Sequence, residues 1–263
     1  MNAFKKVIIA LLICYMPYKG MAWGMLGHRI VGEIADRHLT KKARKAIAGI
    51  LGNESPAITS NWADFIKSDT SYNYLGNWHY INLKAGMSQQ EVVDYLEKDT
   101  TINAYTRIKF LANELKNKNL PQQNKLLYLR MLIHLVGDVH QPMHVGRPED
   151  LGGNRVRVLW FNEPYNLHQL WDDVLVSFQK LSYTEYATAI NYVTKDQRKA
   201  WQQEPMTLWF YNSYKVAEKI YGDVVGKEDK LSYAYNFKYK SILEDQLLKG
   251  GIHLAGMLND IFD

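Results

Sequence analysis

The sequence predicts a mostly α-helical single domain, and three observations carry that expectation. An apolar run from Leu126 to Val136 leads into His134-Leu-Val-Gly-Asp138-Val-His140-Gln-Pro-Met-His144. Ser88-Gln-Gln-Glu91 has the form of a capping box, which starts a helix running to about Lys98. From Arg29 to Leu51, Ile30, Ile34, Ala43, Ile47 and Ile50 follow an amphipathic helical pattern. The 263 residues carry no internal repeat, low-complexity tract or linker, so one core is expected.

Residues 1–22 have the layout of an export signal: Lys5 and Lys6, an apolar run from Val7 to Cys14, then Met21-Ala22 before Trp23. The apolar run is too short to span a bilayer. Cleavage after Ala22 removes the only cysteine, so residues 23–263 form the functional domain without an intramolecular disulfide. The lost segment carries Lys5, Lys6 and Lys19 and no acid, which lowers the formal charge from +5 to +2. The basic balance of the whole chain is therefore weak evidence for a nucleic-acid partner. The expected location is a periplasm or the cell exterior.

Trp23 would then be the N-terminus, with an amine and carbonyl able to chelate a metal beside His28. In Trp62-Ala-Asp64-Phe-Ile-Lys67, a carboxylate and an ammonium stand about one helical turn apart. Trp78-His79-Tyr80-Ile-Asn82 reads as short and extended. Thr101 to Lys118 is a further helical pattern, and Pro121 stands where the first residue of the long helix belongs.

Within that helix His134 and Asp138 lie on one face, and Gly137 leaves room beside it. Pro142 ends or kinks the helix at Gln141, so His144 leaves on another bearing. Ligands aimed two ways suggest more than one metal. A Gly- and Pro-containing loop, 146–154, precedes an extended run, 155–161, and a new helix repeating the four-residue spacing with His168 and Asp172. Residues 183–263 read as helical scaffold, punctuated by Pro205 and Gly222 and broken late at Gly250-Gly251.

Imidazole and carboxylate ligands without thiolate favour zinc over manganese or iron, and so many histidines argue against calcium or magnesium. Three zinc ions against Asp64, Asp138 and Asp172 leave three positive charges around the site. Such a centre calls for an anion and acidifies bound water, both suited to phosphate esters.

Trp23 and His28, Trp62-Ala-Asp64, Trp78-His79-Tyr80, His134-x3-Asp138, His144 and His168-x3-Asp172 together resemble the S1/P1 nuclease family. The resemblance spans Trp23 to Asp172 and implies a helical bundle of the phospholipase C/P1 nuclease type. It implies a trinuclear zinc enzyme cutting single-stranded RNA and DNA to 5′-nucleotides, with 3′-nucleotidase activity. The first zinc would take Asp64, His79, His134 and Asp138, and the second His144, His168 and Asp172. The third would take Trp23, His28 and the other Asp138 oxygen. Zinc-held hydroxide would attack phosphorus, Asp64 would orient it, and Lys67 would neutralise charge in the transition state. Tyr80 would stack a base, Asn154 would approach the scissile phosphate, and Asn82 replaces an aspartate that reads a base edge in fungal and plant members. Missing disulfides point to a bacterial type.

A phospholipase C-type phosphodiesterase is the alternative, and a non-catalytic zinc-stabilised binding protein stands behind it. The first calls for an apolar rim, where loop 146–154 offers Arg147, Glu149 and Asp150. A monomer with no stable protein partner and no membrane association is expected. His38, His140 and His253 receive no role.

Overall fold

The computed structural model describes residues 23–224 and 228–263. The export signal assigned to residues 1–22 lies outside them. The expected mostly helical class is what the chain shows, with one small sheet.

The pattern from Arg29 to Leu51 divides into two helices, α1 (Met25–Arg37) and α2 (Lys41–Leu51). The division falls where Thr40 caps α2, its hydroxyl accepting from the Ala43 amide at 3.1 Å. Apolar periodicity survives the break, so it did not betray it. Two single-turn helices follow, α3 (Pro56–Thr59) and α4 (Trp62–Phe65), then 3₁₀ turns at Ile66–Ser68 and Thr70–Trp78. The stretch read as extended from Trp78 therefore begins in a 3₁₀ helix. Only past His79 does the backbone run alongside the later loop, with Ile81 and Leu83 amides donating to the His144 and Gly146 carbonyls at 2.9 Å each.

Helix α5 (Gln89–Lys98) carries both halves of the expected capping box. Asn103 caps α6 (Ala104–Leu115), which is shorter than its sequence pattern. Pro121 sits just before α7 (Gln122–Val139) rather than as its first residue, and a 3₁₀ turn over Pro142–Val145 carries His144 away from the helix. Next come β1 (Arg157–Trp160), β2 (Glu163–Asn166), α8 (Leu167–Gln169), a π turn at Leu170–Val174 and α9 (Leu175–Phe178). Helices α10 (Tyr183–Ile190), α11 (Lys195–Gln202) and α12 (Met206–Asp223) lead to β3 (Asp229–Leu231) and α13 (Tyr233–Phe262). The sheet order is β2-β1-β3, antiparallel then parallel, and β3 had no sequence signal.

Helix α13 runs unbroken through Gly250-Gly251, where a break was expected. The glycines serve contact instead: a Cβ on Gly251 would overlap Ile34 of α1. This close approach buries Ile30, Ile34, Leu132, Val136, Ile252 and Leu254 completely. Burial of each such side chain is worth about 1.5–3 kcal/mol, so α7 is clamped in the centre. Every residue from Met131 to Val139 is buried, His134 and Asp138 included.

Candidate metal centre

Five histidines converge from five segments: His28 on α1, His79 after the second 3₁₀ turn, His134 on α7, His144 on the 3₁₀ turn beyond it and His168 on α8. All are buried, together with Asp64, Asp138 and Asp172. Their donor atoms form three groups able to hold metal ions: His28 with Asp64 and His134, His79 with His134 and Asp138, and His144 with His168 and Asp172.

The wiring around the rings supports that reading. The Nδ1 atoms of His134, His144 and His168 each lie 2.6 Å from a backbone carbonyl, those of Ser60, His79 and Gly152 respectively. A carbonyl only accepts, so each Nδ1 carries the proton and each Nε2 lone pair turns inward, as in metal-binding histidines. His134 Nε2 lies 3.1 Å from His79 Nδ1 and 3.3 Å from Asp138 Oδ2, and His28 Nε2 lies 3.3 Å from Asp138 Oδ1. His168 Nε2 lies 3.2 Å from Asp172 Oδ2 and His144 Nε2 lies 3.6 Å from Asp172 Oδ1. Tetrahedral ligands about 2 Å from one ion stand roughly 3.3 Å apart, so the donor set is already at coordination spacing. Among the described residues, both nitrogens of His28, Nε2 of His79 and His144, and one oxygen each of Asp64, Asp138 and Asp172 are buried without a hydrogen bond. Orphaned polar atoms at this density fit a centre built for cations.

Electrostatics agree at three of the rings, while at His168 burial lowers the imidazole pKa but the Asp172 charge outweighs burial and raises it above the usual range. Burial pushes His28 and His79 well below the usual histidine range and His134 down to about 4, keeping them neutral as ligands must be. Burial and the nearby Asp64 push the Asp138 carboxyl up, a pressure that a cation relieves. Burial also raises Asp172, but His168 and His144 outweigh it and hold the carboxyl at about 2.

Local sequence explains this placement. Gly137 is required where His28 stacks on His134 with ring centres 3.9 Å apart, because a Cβ there would stand 2.7 Å from His28 Nδ1. Leu151, Gly152 and Gly153 all take positive φ, and a Cβ on Gly152 would overlap the Met143 carbonyl. That left-handed run turns the Gly152 carbonyl onto His168. Trp23 is buried beside His28 and Gly137, and the next amide, Gly24, donates to the Asp172 carbonyl at 2.6 Å.

A cleft of about 470 Å³ opens beside the centre, lined by His79, His144, His168 and Lys67 and by Tyr80, Asn82 and Asn154. Lys67 reaches Asp64 Oδ1 at 2.6 Å while staying 30% exposed to the cleft. Thus the structure gathers all the sequence-read ligands except Trp23 into groups able to hold an ion, and puts Lys67, Tyr80, Asn82 and Asn154 in the lining of one cleft. It pairs His28 with Asp64 and His134 where the sequence reading paired it with Trp23 and Asp138, although His28 also touches Asp138.

Sequence reasoning missed Gln141 and Tyr72. Fully buried Gln141 donates its Nε2 to Asp172 Oδ1 and accepts from the Met143 amide at 2.5 Å, tying the helix end to a ligand. Its position inside the histidine motif was the available signal. Tyr72 lies in a 3₁₀ segment without periodicity, and nothing local marked it as part of the cleft.

Comparison with known proteins places these residues in context. The sequence profile of the S1/P1 Nuclease family matches residues 23–263. Endonuclease 2 of Arabidopsis thaliana is 27% identical over 97% of this chain and 96% of its own length. Nuclease P1 of Penicillium citrinum is 26% identical over 91% of this chain and 97% of its own. Nuclease S1 of Aspergillus oryzae is 31% identical over 57% of this chain and 53% of its own.

Proposed function

The chain belongs to the S1/P1 nuclease family, and we propose that it is a zinc-dependent phosphodiester hydrolase cutting single-stranded RNA and DNA to 5′-nucleotides, with 3′-nucleotidase activity beside it. The observation that carries the reading is the cleft itself, where a half-buried ammonium, inward-facing imidazoles and an exposed tyrosine meet.

The donor set, all nitrogen and oxygen, suits zinc. Asp64, His79, His134 and Asp138 would hold one ion, His144, His168 and Asp172 a second, and Trp23, His28 and Asp138 a third. When bound, zinc supplies Lewis acidity towards phosphate oxygens and makes water a nucleophile near neutral pH. The protein does the rest. Asp64 orients the attacking water and holds Lys67, whose ammonium neutralises negative charge gathering on the phosphoryl oxygens in the transition state. Tyr80 stacks a base without regard to sequence, Asn82 meets its edge as donor or acceptor, and Asn154 approaches the phosphate.

Removal of residues 1–22 on export belongs to the same proposal, because Trp23 is buried beside His28 and a free amine there would join the centre. A variant retaining one residue before Trp23 should lose zinc and activity, and full activity in it would sink this part.

The deciding experiment measures metal content and mononucleotide release from single-stranded RNA and DNA, with and without chelator, beside phosphatidylcholine vesicles. About three zinc ions and chelator-sensitive release are expected. Lipid cleavage without nucleotide release would move the activity to the phospholipase branch. Lys67→Ala should lower kcat roughly 100-fold or more at unchanged zinc content, the cost of removing one transition-state charge partner.

A further inference from the structure

Behind the metal centre, a chain of hydrogen bonds runs from helix α12 into the loop that ends on His168. Tyr221, in the last turn of α12, is buried. Its hydroxyl donates to Asp150 Oδ1 at 2.9 Å and accepts from the Arg147 amide at 3.2 Å, while the Arg147 guanidinium lies over its ring at 4.3 Å. Asp150 Oδ1 accepts in turn from the Gly153 amide at 2.7 Å. Glu218, three residues before Tyr221, anchors Arg147 through Nε and Nη2 at 3.0 Å each.

The loop needs such an anchor. Leu151 takes φ 57°, a left-handed conformation that costs energy in a residue with a Cβ, and Gly152 and Gly153 continue it. This run delivers the Gly152 carbonyl to His168 Nδ1 at 2.6 Å. A Cβ at Gly146 would stand 2.8 Å from Gly152 Cα and 2.9 Å from the Tyr221 hydroxyl, so the bare glycine lets the tyrosine press close to the turn. Burial and the Asp150 charge push the phenol's ionisation up, and it stays a donor.

We propose that Tyr221 is a positioning residue for the metal centre: acting through Asp150, it holds the 151–153 turn that aims the Gly152 carbonyl at His168, and so fixes the nitrogen that His168 turns inward. The proposal rests on the metal-ligand reading of His168 above. A ring whose Nδ1 proton is held by a carbonyl presents its Nε2 lone pair in one direction. Once the carbonyl is loosened, the ring must be ordered again whenever an ion binds, and affinity falls. Tyr214, also buried on α12, supplies an internal contrast. It accepts from the Met87 amide at 2.8 Å and donates to the Lys84 carbonyl at 3.0 Å, bracing a loop that carries no ligand.

The test follows zinc transfer from the holoenzyme to a competing chelator, together with solvent exchange of the His168 Nδ1 proton by NMR. Tyr221→Phe should weaken zinc binding at the His144, His168 and Asp172 group about tenfold, the low end for loss of a partner behind a ligand. The ring proton should exchange about tenfold faster, the worth of one hydrogen bond. Tyr214→Phe loses bonds of the same kind, so a general loss of stability would show in both variants, whereas zinc and ring proton should move only in Tyr221→Phe. Asp150→Asn keeps an oxygen that accepts both bonds and should behave as wild type. In an Asp150→Ala background, Tyr221→Phe should add nothing, because the two act in series. Wild-type zinc affinity and exchange in Tyr221→Phe, or equal changes in Tyr214→Phe, would overturn the proposal; additive losses would overturn the path through Asp150. Neither readout uses substrate, so both stand where no nucleotide is released, the outcome that would overturn the nuclease reading instead.

Discussion

Helix α7 and the residue that ends it present two sets of buried histidines that keep different company. Towards the cleft, His134 spends one nitrogen on a carbonyl and points the other into a group of neutral rings and carboxylates. Two residues past Asp138, His140 places Nδ1 2.7 Å from the Val136 carbonyl and Nε2 2.7 Å from His253 Nδ1. His253 stacks on Trp209 at 4.6 Å and puts Nε2 3.2 Å from Glu204. Gln246 closes this rear set by donating to the His140 carbonyl at 2.9 Å. Burial alone therefore does not mark a ligand. What marks it is the company the ring keeps: the forward rings crowd against one another and against Asp64, Asp138 and Asp172, whereas the rear rings meet each other, Trp209 and Glu204.

The sharpest way to break this contrast is to truncate each side. His134→Ala should lose bound metal and, with it, nuclease activity by more than the roughly 100-fold that loss of an outer partner costs. His140→Ala should retain all its metal and lose about 2–4 kcal/mol of stability in denaturant unfolding, the cost of a cavity plus an unpaired His253. Metal loss in His140→Ala would merge the two sets into one.

Each set also has its glycine, and the two differ by degree. A Cβ at Gly137 would stand 2.7 Å from the His28 ring, whereas one at Gly250 would stand 3.3 Å from His140. Gly137→Ala should cost about 1–3 kcal/mol through overpacking and lower metal occupancy by displacing His28. Gly250→Ala should be close to neutral, because the helix gains up to about 1 kcal/mol from alanine against a few tenths of an ångström of adjustment. Thermal unfolding with metal analysis separates the two.

Gln141 joins the sets, being contiguous with His140 and bonded to Asp172. Gln141→Ala frees a carboxylate that must stay aimed, so zinc affinity at the His144, His168 and Asp172 group should weaken about 10- to 100-fold in competition titration. Unchanged affinity would show that packing alone positions Asp172.

Much of the forward set was legible because its information is local: the four-residue spacings of His134 and Asp138 and of His168 and Asp172 survive folding as helix faces. The capping box of α5 was equally local. What escaped depends on partners distant in the chain. Gly250-Gly251 reads as a break until α1 is known to lie against it, and β3 has meaning only beside β1. His140 and His144 look alike in sequence, and only His253 and the His79 carbonyl, far away in both directions, tell them apart.

The gentlest test uses protons. Burial pushes His253 below the usual value of 6.5, with Glu204 opposing, so the folded protein binds a proton there less readily than the unfolded chain. The unfolded state therefore holds more protons as pH falls below about 6.5, and stability must fall with it. For one group the slope cannot exceed about 1.4 kcal/mol per pH unit. His253→Phe keeps a ring against Trp209 but removes the titration, so the wild type's advantage over it should be largest above pH 7 and shrink as pH falls through 6. Metal content should stay constant between the two proteins at each pH, because the rear ring touches no ligand. If the advantage were flat with pH, His253 would have no depressed titration to lose; if metal content diverged, the rear set would reach the ions after all.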